Sequence, residues 1–202
     1  MAGANIPVYN GAITAGALLV SESRHIARLL LNQSSLDDWH QAIVVDNVLQ
    51  KRSPASAKSQ AKLIKARLSL MTPELWKIVE SGSADVATQA VLAAAIKHSR
   101  LLADFMDTVI RQHWQTFVLK LSTKDWTDYL KSCAQVDPHV NQWSDATRAK
   151  LKQIVYLILS QAGYIDGTRT LKLLPVSVIP EIRAYLVDNK ETDVLRCMEI
   201  TQ

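Results

Sequence analysis

The chain has 202 residues, of which 48% are hydrophobic and 21% are charged. This balance is typical of a globular protein with a packed core, and it excludes an intrinsically disordered chain, which would be poorer in apolar residues. Lys and Arg outnumber Asp and Glu by 23 to 19, and residues 1–70 hold eight of the basic residues but only four acidic ones. We therefore expect a positive surface to arise from local clusters rather than from the total charge.

The two cysteines and the uncharged N-terminal segment indicate the cellular compartment of the protein. Cys133 and Cys197 have no short spacing to each other or to a histidine, so neither a disulfide framework nor a zinc module is predicted. The start, residues 1–21, lacks a basic region and is interrupted by Asn5, Pro7, Asn10 and Gly11, so its apolar run is too short and too polar to span a bilayer. We expect a cytoplasmic protein without a membrane-spanning segment.

Helical periodicity dominates residues 21–121. The sequence predicts a helix that begins near Ser21, a second that runs from about Ser35 to Leu49, and a third that begins at Pro54. The third helix has an apolar stripe at helical spacing, formed by Ala57, Ala61, Ile64, Leu68 and Met71. A fourth helix is predicted from Pro73 to about residue 81, and two more between residues 84 and 121, where Gly and Pro are absent.

The second half of the chain contains the β signal. Ser122 and Asp125 have the spacing of a capping box and predict a helix after them. A long helix is expected from Ser144 or Asp145 to Gly163, followed by a short hairpin of residues 164–166 and 170–174. Residues 180–189 are predicted to be helical, and the residues after 191 are unassigned. The predicted fold is an all-α helical bundle of two packed subdomains, residues 1–121 and 122–202, the second winged-helix-like with a small β-hairpin.

A basic cluster on the third helix is the first candidate site. It comprises Lys51, Arg52, Lys58, Lys62, Lys65 and Arg67, with no acidic residue among them. Lys58, Lys62 and Lys65 are spaced four and three residues apart, so they form one ridge beside the apolar stripe. Two helices joined by a turn, the second of them basic, have the outline of a helix-turn-helix. The alternative is an ordinary solvated helix face, and the turn lacks the Gly often found there.

The predicted winged helix is the second candidate. Arg148 and Lys152 share a face of its long helix, and Arg169 and Lys172 lie at the turn and second strand of its wing. Such cations would hold duplex DNA in register through its phosphates without reading base sequence. The alternative is a protein–protein module, because winged helices also serve that role and because Asp145 and Asp166 dilute the charge.

Signals of catalysis are poor. The five histidines form no HExxH or related metal-binding spacing, and no P-loop, GxGxxG or GxSxG motif occurs. The five tryptophans, Trp39, Trp76, Trp114, Trp126 and Trp143, lie among aliphatic residues, which favours core anchoring over base stacking. We predict a protein with no enzymatic activity, no metal and no cofactor.

Several segments resemble the BrxA family of bacteriophage-exclusion (BREX) defence systems. These segments are residues 23–39, residues 52–68, residues 73–75 and the turn at residues 162–165. The resemblance implies an accessory, non-catalytic component with a helical fold similar to the NusB antitermination factor, and with nucleic-acid binding. The expected partners are double-stranded DNA, with RNA as the alternative, and other BREX proteins. The main rival hypothesis is a scaffold that docks other defence subunits without touching nucleic acid.

Overall fold

The computed structural model describes residues 8–200, and most of them are helical. In chain order the α-helices of this range are α1 Val20–Leu31, α2 Leu36–His40, α3 Pro54–Leu68, α4 Pro73–Ser81, α5 Ala84–His98, α6 Arg100–Asp104, α7 Arg111–Gln115, α8 Thr123–Val136, α9 Asp145–Gln161, α10 Pro180–Asp188 and α11 Thr192–Met198. Two π-helical segments extend them, because Gln41–Val45 continues α2 and Phe105–Ile110 joins α6 to α7. The all-α prediction is confirmed.

Serine side chains begin many of these helices, as the sequence predicts. Ser35 and Ser122 each accept a hydrogen bond from the backbone N–H three residues later, and the aspartates there, Asp38 and Asp125, accept one in return. Ser144 caps α9 in the same manner, although without the reciprocal bond. These side chains satisfy backbone donors that the first turn of a helix cannot satisfy itself, so the helix starts are fixed locally.

The second helix ends earlier than predicted, at Val45 instead of Leu49. Asn47 and Gln50 adopt left-handed φ angles of 47° and 52°, which a right-handed helix cannot contain. The Asn47 side chain also bonds both the N–H and the carbonyl of Lys51, at 2.9 Å each. The connection between the two helices is therefore an eight-residue loop, 46–53, that the Asn47 side chain holds in place.

Helix α5 forms the centre of the core. Residues 90–96 are buried without interruption, so this helix is enclosed on all sides. All residues of the predicted apolar stripe are buried, although the last of them, Met71, lies beyond the end of α3 at Leu68, and α3 packs against α5. One hydrophobic cluster contains residues from Tyr9 to Ile200 and so draws on both sides of residue 121. The proposed division into two subdomains stays a prediction.

An aromatic cluster fixes the second half of the chain to the π-helical segment Phe105–Ile110. The ring of Phe105 lies 5.5 Å from Trp126, 5.1 Å from Tyr129 and 6.0 Å from Tyr156, measured between ring centres. The Tyr129 hydroxyl also donates a hydrogen bond of 2.7 Å to the backbone carbonyl of Leu101. Through these contacts α8 and α9 share the core of the preceding helices.

The predicted β-hairpin and winged helix are wrong, because the described part of the chain contains no β-strand. Two isolated antiparallel bridges lie there instead, Ile165 with Leu173 and Lys120 with Lys172. Leu171 has a φ of 59°, which breaks the extended conformation that the second strand would need. The segment after it pairs on both sides, with residues 119–121 as well as 164–166, so each pairing is limited to one bridge.

Helix α11 was not predicted from the sequence. It buries Val194, Leu195, Cys197 and Met198 against the core, but its seven residues are too few for a clear helical period. No helix among residues 8–200 is long and apolar enough to cross a membrane. Of the uncharged start, residues 1–7 lie outside the described range, so the expectation for them is untested.

Candidate nucleic-acid interface

The three lysines of the predicted ridge on α3 are exposed side by side. Lys58, Lys62 and Lys65 point away from the stripe that α3 buries, and we call them the α3 ridge. None of the three forms an ion pair with a described acidic residue. Their charges are therefore available to an anion from solution.

An apolar groove borders the α3 ridge. The three lysines line a cavity of about 280 Å³ whose other walls include Trp39, Ile43, Val44 and Ala61. The Lys65 ammonium lies 4.3 Å from the centre of the Trp39 ring, a cation–π distance. The π-helical turn Gln41–Val45 supplies part of this apolar wall. The ridge can thus contact an apolar group and an anionic group at the same place.

The other members of the basic cluster have different surroundings. Lys51 forms an ion pair with Glu22, and both side chains are largely buried. Arg52 is exposed and makes no ion pair with a described residue. Of the neighbouring residues Lys51 and Arg52, Arg52 is therefore the one whose charge is free in the loop that separates α2 from α3.

Arg67 lies inside the core, where its side chain is only 2% exposed. Its guanidinium donates hydrogen bonds to the carbonyls of Ala17 and Gly16, which joins the segment before α1 to α3. Burial lowers the pKa of Arg67 to about 10. In these surroundings Arg67 holds two parts of the fold together, and both terminal nitrogens of its guanidinium are directed to backbone carbonyls rather than to the surface.

His98 lies near Arg67 and provides a pH-dependent contribution to stability. Burial, and then the charge of Arg67, lower the pKa of His98 below its usual value of 6.5. As pH falls, the unfolded state binds this proton before the folded state does, so stability is lost below the usual histidine pKa. We expect His98→Gln to reduce the loss of stability between about pH 7 and pH 5, measured as the shift of the urea midpoint. An unchanged pH dependence in the variant would contradict this role.

In the second half of the chain, tertiary packing brings several cations around one cavity. Arg148 and Lys152 of α9 line a cavity of about 540 Å³ together with Lys124 and Lys131 of α8. Lys152 also lines an adjoining cavity of about 330 Å³ with Thr168, the residue before Arg169. The bridge between Lys120 and Lys172 adds two more lysines directly opposite each other. We use the name C-terminal basic surface for five residues whose side chains form no ion pair with a described residue and donate no hydrogen bond to one: Lys120, Lys124, Lys152, Arg169 and Lys172.

The remaining charges of this region are partly occupied. Arg148 donates hydrogen bonds to three backbone carbonyls at the end of the preceding turn, including that of Trp143 at 3.1 Å. Lys131 forms an ion pair of 3.1 Å with Asp128. Asp166 accepts hydrogen bonds from Thr170 and from the backbone of Lys172, and these bonds together with the charge of Lys172 lower the pKa of its carboxyl group. The acidic residues thus leave a surplus of positive charge.

Sequence reasoning did not single out Lys120 and Lys124. Lys120 lies in an irregular segment and Lys124 in the first turn of α8, so neither belonged to a helical ridge or to the expected wing. Their role depends on which distant segment of the chain each one contacts. Lys120, for example, pairs with Lys172, which is 52 residues later in the sequence. A local spacing pattern contains no such information.

Groups suited to metal or acid–base chemistry are few. Among the described residues no three of His, Cys, Asp and Glu are arranged to hold a metal ion. His113 contacts Asp125 at 3.3 Å and His139 contacts Asp137 at 3.0 Å, in two separate pairs. Asp125 is also the reciprocal partner of Ser122 in the capping box of α8, and Asp137 caps the helical turn Pro138–Gln142. The two pairs are therefore explained by the local fold.

Comparison with known proteins identifies the family. The BrxA family profile matches residues 7–190, which is most of the chain. The chain belongs to the BrxA family. A protein of Paramagnetospirillum magneticum called BREX protein BrxA is 46% identical over 195 residues, which cover 96% of this chain and 98% of that protein. The BREX protein BrxA of Escherichia coli O9:H4 is 31% identical, with coverage of 96% and 92%.

A solved structure shares the fold. The crystal structure of an uncharacterized protein from Magnetospirillum magneticum superposes with a TM-score of 0.89 and 45% sequence identity. The match covers 96% of this chain and 100% of that chain. The helical architecture described above is therefore shared along the whole length of that solved chain.

Proposed function

We propose that this protein is a non-catalytic component of a BREX phage-defence system and that it binds the phosphate backbone of duplex DNA. The relatives called BREX protein BrxA support the placement in such a system. They also support other BREX proteins as its partners. Backbone binding is a separate proposal, and it depends on the surface of the molecule.

The C-terminal basic surface carries this proposal. Its five cations come from three separate segments, and none of them is neutralised by an ion pair with a described residue. Binding to duplex DNA requires several cations on one surface, because each phosphate contact releases condensed counterions. The α3 ridge and Arg52 provide further free cations of the same kind. Lys51, Arg67 and Arg148 contribute less, since their side chains already bind a carboxylate or backbone carbonyls.

A salt titration tests the proposal. We expect the logarithm of the affinity for a mixed-sequence duplex to fall linearly with the logarithm of salt concentration. Replacing Lys120, Lys124, Lys152 and Lys172 together by Ala should reduce that slope by about 3.6, since each phosphate contact contributes about 0.9. The control replaces Lys77 on α4 and Lys190 in the turn after α10, which are both exposed, and should change the slope little. A wild-type affinity that does not respond to salt would contradict backbone binding.

A second candidate function is a scaffold that docks other defence subunits. The observation in its favour is the groove beside the α3 ridge, because the apolar wall formed by Trp39 and Ile43 offers nothing to a phosphate. An acidic amphipathic helix of a protein partner would satisfy both that wall and the lysines. Under this hypothesis the α3 ridge binds protein and makes no contact with DNA.

Charge reversal on the α3 ridge separates the two functions. The variant replaces Lys58, Lys62 and Lys65 by Glu, and both DNA retention and pull-down of the other BREX proteins are measured. Lost DNA retention with an intact pull-down supports DNA binding by the ridge. The opposite result supports docking, and it would restrict any DNA contact to the C-terminal basic surface.

A further inference from the structure

An exposed phenylalanine lies at the tip of the loop that joins α7 to α8. The side chain of Phe117 is 86% exposed, and the next two residues, Val118 and Leu119, are 52% and 39% exposed. Three consecutive apolar residues at the surface are unfavourable in water unless something covers them. The feature therefore requires an explanation beyond the isolated fold.

The backbone at Phe117 is also unfavourable for this residue type. The N–H of Val118 bonds to the carbonyl of His113, and the N–H of Phe117 bonds to that of Trp114, which together form a Schellman motif at the end of α7. The motif requires a left-handed backbone conformation at the residue that Phe117 occupies, and Phe117 has a φ of 59°. Glycine is the usual residue there because it has no Cβ to clash. The end of α9 has the same motif with Gly163 at the corresponding position.

Packing does not explain the choice of phenylalanine. Leu19 and Leu171 share the left-handed φ, but their side chains pack against the hydrophobic core. Gln33 and Lys190 occupy equivalent helix ends with polar side chains, whose exposure costs little. Phe117 instead combines a strained backbone with an exposed aromatic ring. This combination is typical of a residue retained for binding.

The surroundings of Phe117 are basic. Lys120 lies three residues away and is directly opposite Lys172, so two like charges are held together across an antiparallel pair. That arrangement is unfavourable in an isolated protein, and a bound anion would relieve it. From residue 108 to residue 124 the chain has no acidic side chain. The loop therefore presents an apolar residue beside Lys120 and Lys172, of which Lys172 also has the carboxylate of Asp166 nearby.

We propose that Phe117 acts as a wedge that enters between two base pairs of duplex DNA and kinks it. This inference rests on the proposed DNA binding and deepens it. A side chain inserted from the minor groove needs an apolar group between the bases and cations that contact the phosphates on either side. Phe117 supplies the first, and Lys120 with Lys172 supplies the second. Charge complementarity selects duplex DNA over an apolar protein surface, which would leave the Lys120 ammonium without an anion.

Base unstacking is the direct readout of a wedge. The probe is a duplex of about 30 base pairs with 2-aminopurine in a central TA step, the class of step that unstacks most easily. Wild-type protein should raise the fluorescence of 2-aminopurine, because unstacking relieves its quenching. Phe117→Gly should bring the signal back towards that of free duplex and lower the affinity about tenfold, in line with the loss of one base–aromatic stack. The salt dependence of binding should stay unchanged, because Phe117 carries no charge.

Glycine is chosen because it suits the left-handed backbone. The urea midpoint of Phe117→Gly should equal or exceed that of wild type, so weaker binding cannot be attributed to unfolding. Leu36→Ala serves as the matched control, since Leu36 is 85% exposed but is followed by Asp37 and Asp38. This control should leave both fluorescence and affinity unchanged.

Failure of the wedge and failure of DNA binding give different results. If wild type binds the duplex and Phe117→Gly binds with the same affinity and the same fluorescence, the wedge is overturned while the proposed function stands. If Phe117→Gly loses retention of another BREX protein but keeps DNA binding, the tip is a protein-docking site and the wedge is again overturned. If wild type does not bind the duplex, both proposals fail together.

Discussion

Replacing Arg67 by Ala is expected to lower the free energy of unfolding by about 3 kcal/mol. Two buried backbone carbonyls, those of Ala17 and Gly16, would lose their charged donor, and a large buried side chain would leave a cavity. Relief of the desolvated guanidinium offsets part of this loss, since no described carboxylate forms an ion pair with it. Urea denaturation monitored by tryptophan fluorescence measures the change.

The DNA affinity of the same variant separates a structural role from a binding role. Under conditions in which Arg67→Ala is fully folded, we expect its affinity for duplex DNA to match that of wild type. Arg52→Ala is the control, because Arg52 is exposed and its replacement should alter stability by no more than about 0.5 kcal/mol. A stable Arg67→Ala variant with weakened DNA binding would assign Arg67 to the interface instead.

Replacing Phe105 by Ala is expected to be the most destabilising single change, with a loss of about 4 kcal/mol. Phe105 is fully buried and contacts the rings of Trp126, Tyr129 and Tyr156. Its removal would separate the π-helical segment from α8 and α9 and would leave a cavity that neighbouring helices cannot fill. Urea or thermal unfolding would show the loss directly.

The other phenylalanine of the chain provides the matched control. Phe117→Ala removes the same side chain from an exposed position, so the free energy of unfolding should change by less than about 0.5 kcal/mol. The pair tests burial as the cause, because the chemical change is identical at both sites. Similar decreases in the free energy of unfolding for Phe105→Ala and Phe117→Ala would contradict this description of the core.

The helix starts and the buried stripe of α3 could be predicted from the sequence. A serine cap needs only its own hydroxyl and a backbone N–H three residues later, as at Ser35 and Ser122. The stripe from Ala57 to Leu68 depends on helical period alone. The predicted hairpin failed because Leu171 adopts a left-handed φ and because a third segment, residues 119–121, competes for the same backbone groups.

The candidate surface was predictable only in part. The α3 ridge was found because its lysines recur at helical spacing on an exposed face. Arg67 belonged to the same basic run, but its position on the helix directs it into the core. Lys120 carried no sequence signal, since its significance lies in the pairing with Lys172. Charge is visible in a sequence, whereas the availability of that charge to a ligand is not.

The sequence by itself determined that the chain is helical, where most helices begin, which face of α3 is buried, and to which family it belongs. These properties depend on residues within about four positions of one another, or on resemblance along the whole chain. Tertiary structure alone decided that Arg67 binds the carbonyl of Ala17, that Lys51 pairs with Glu22, and that Lys120 meets Lys172. Each of these contacts joins segments that only packing of the core brings together, because the neighbours of a side chain are set by how apolar faces are buried.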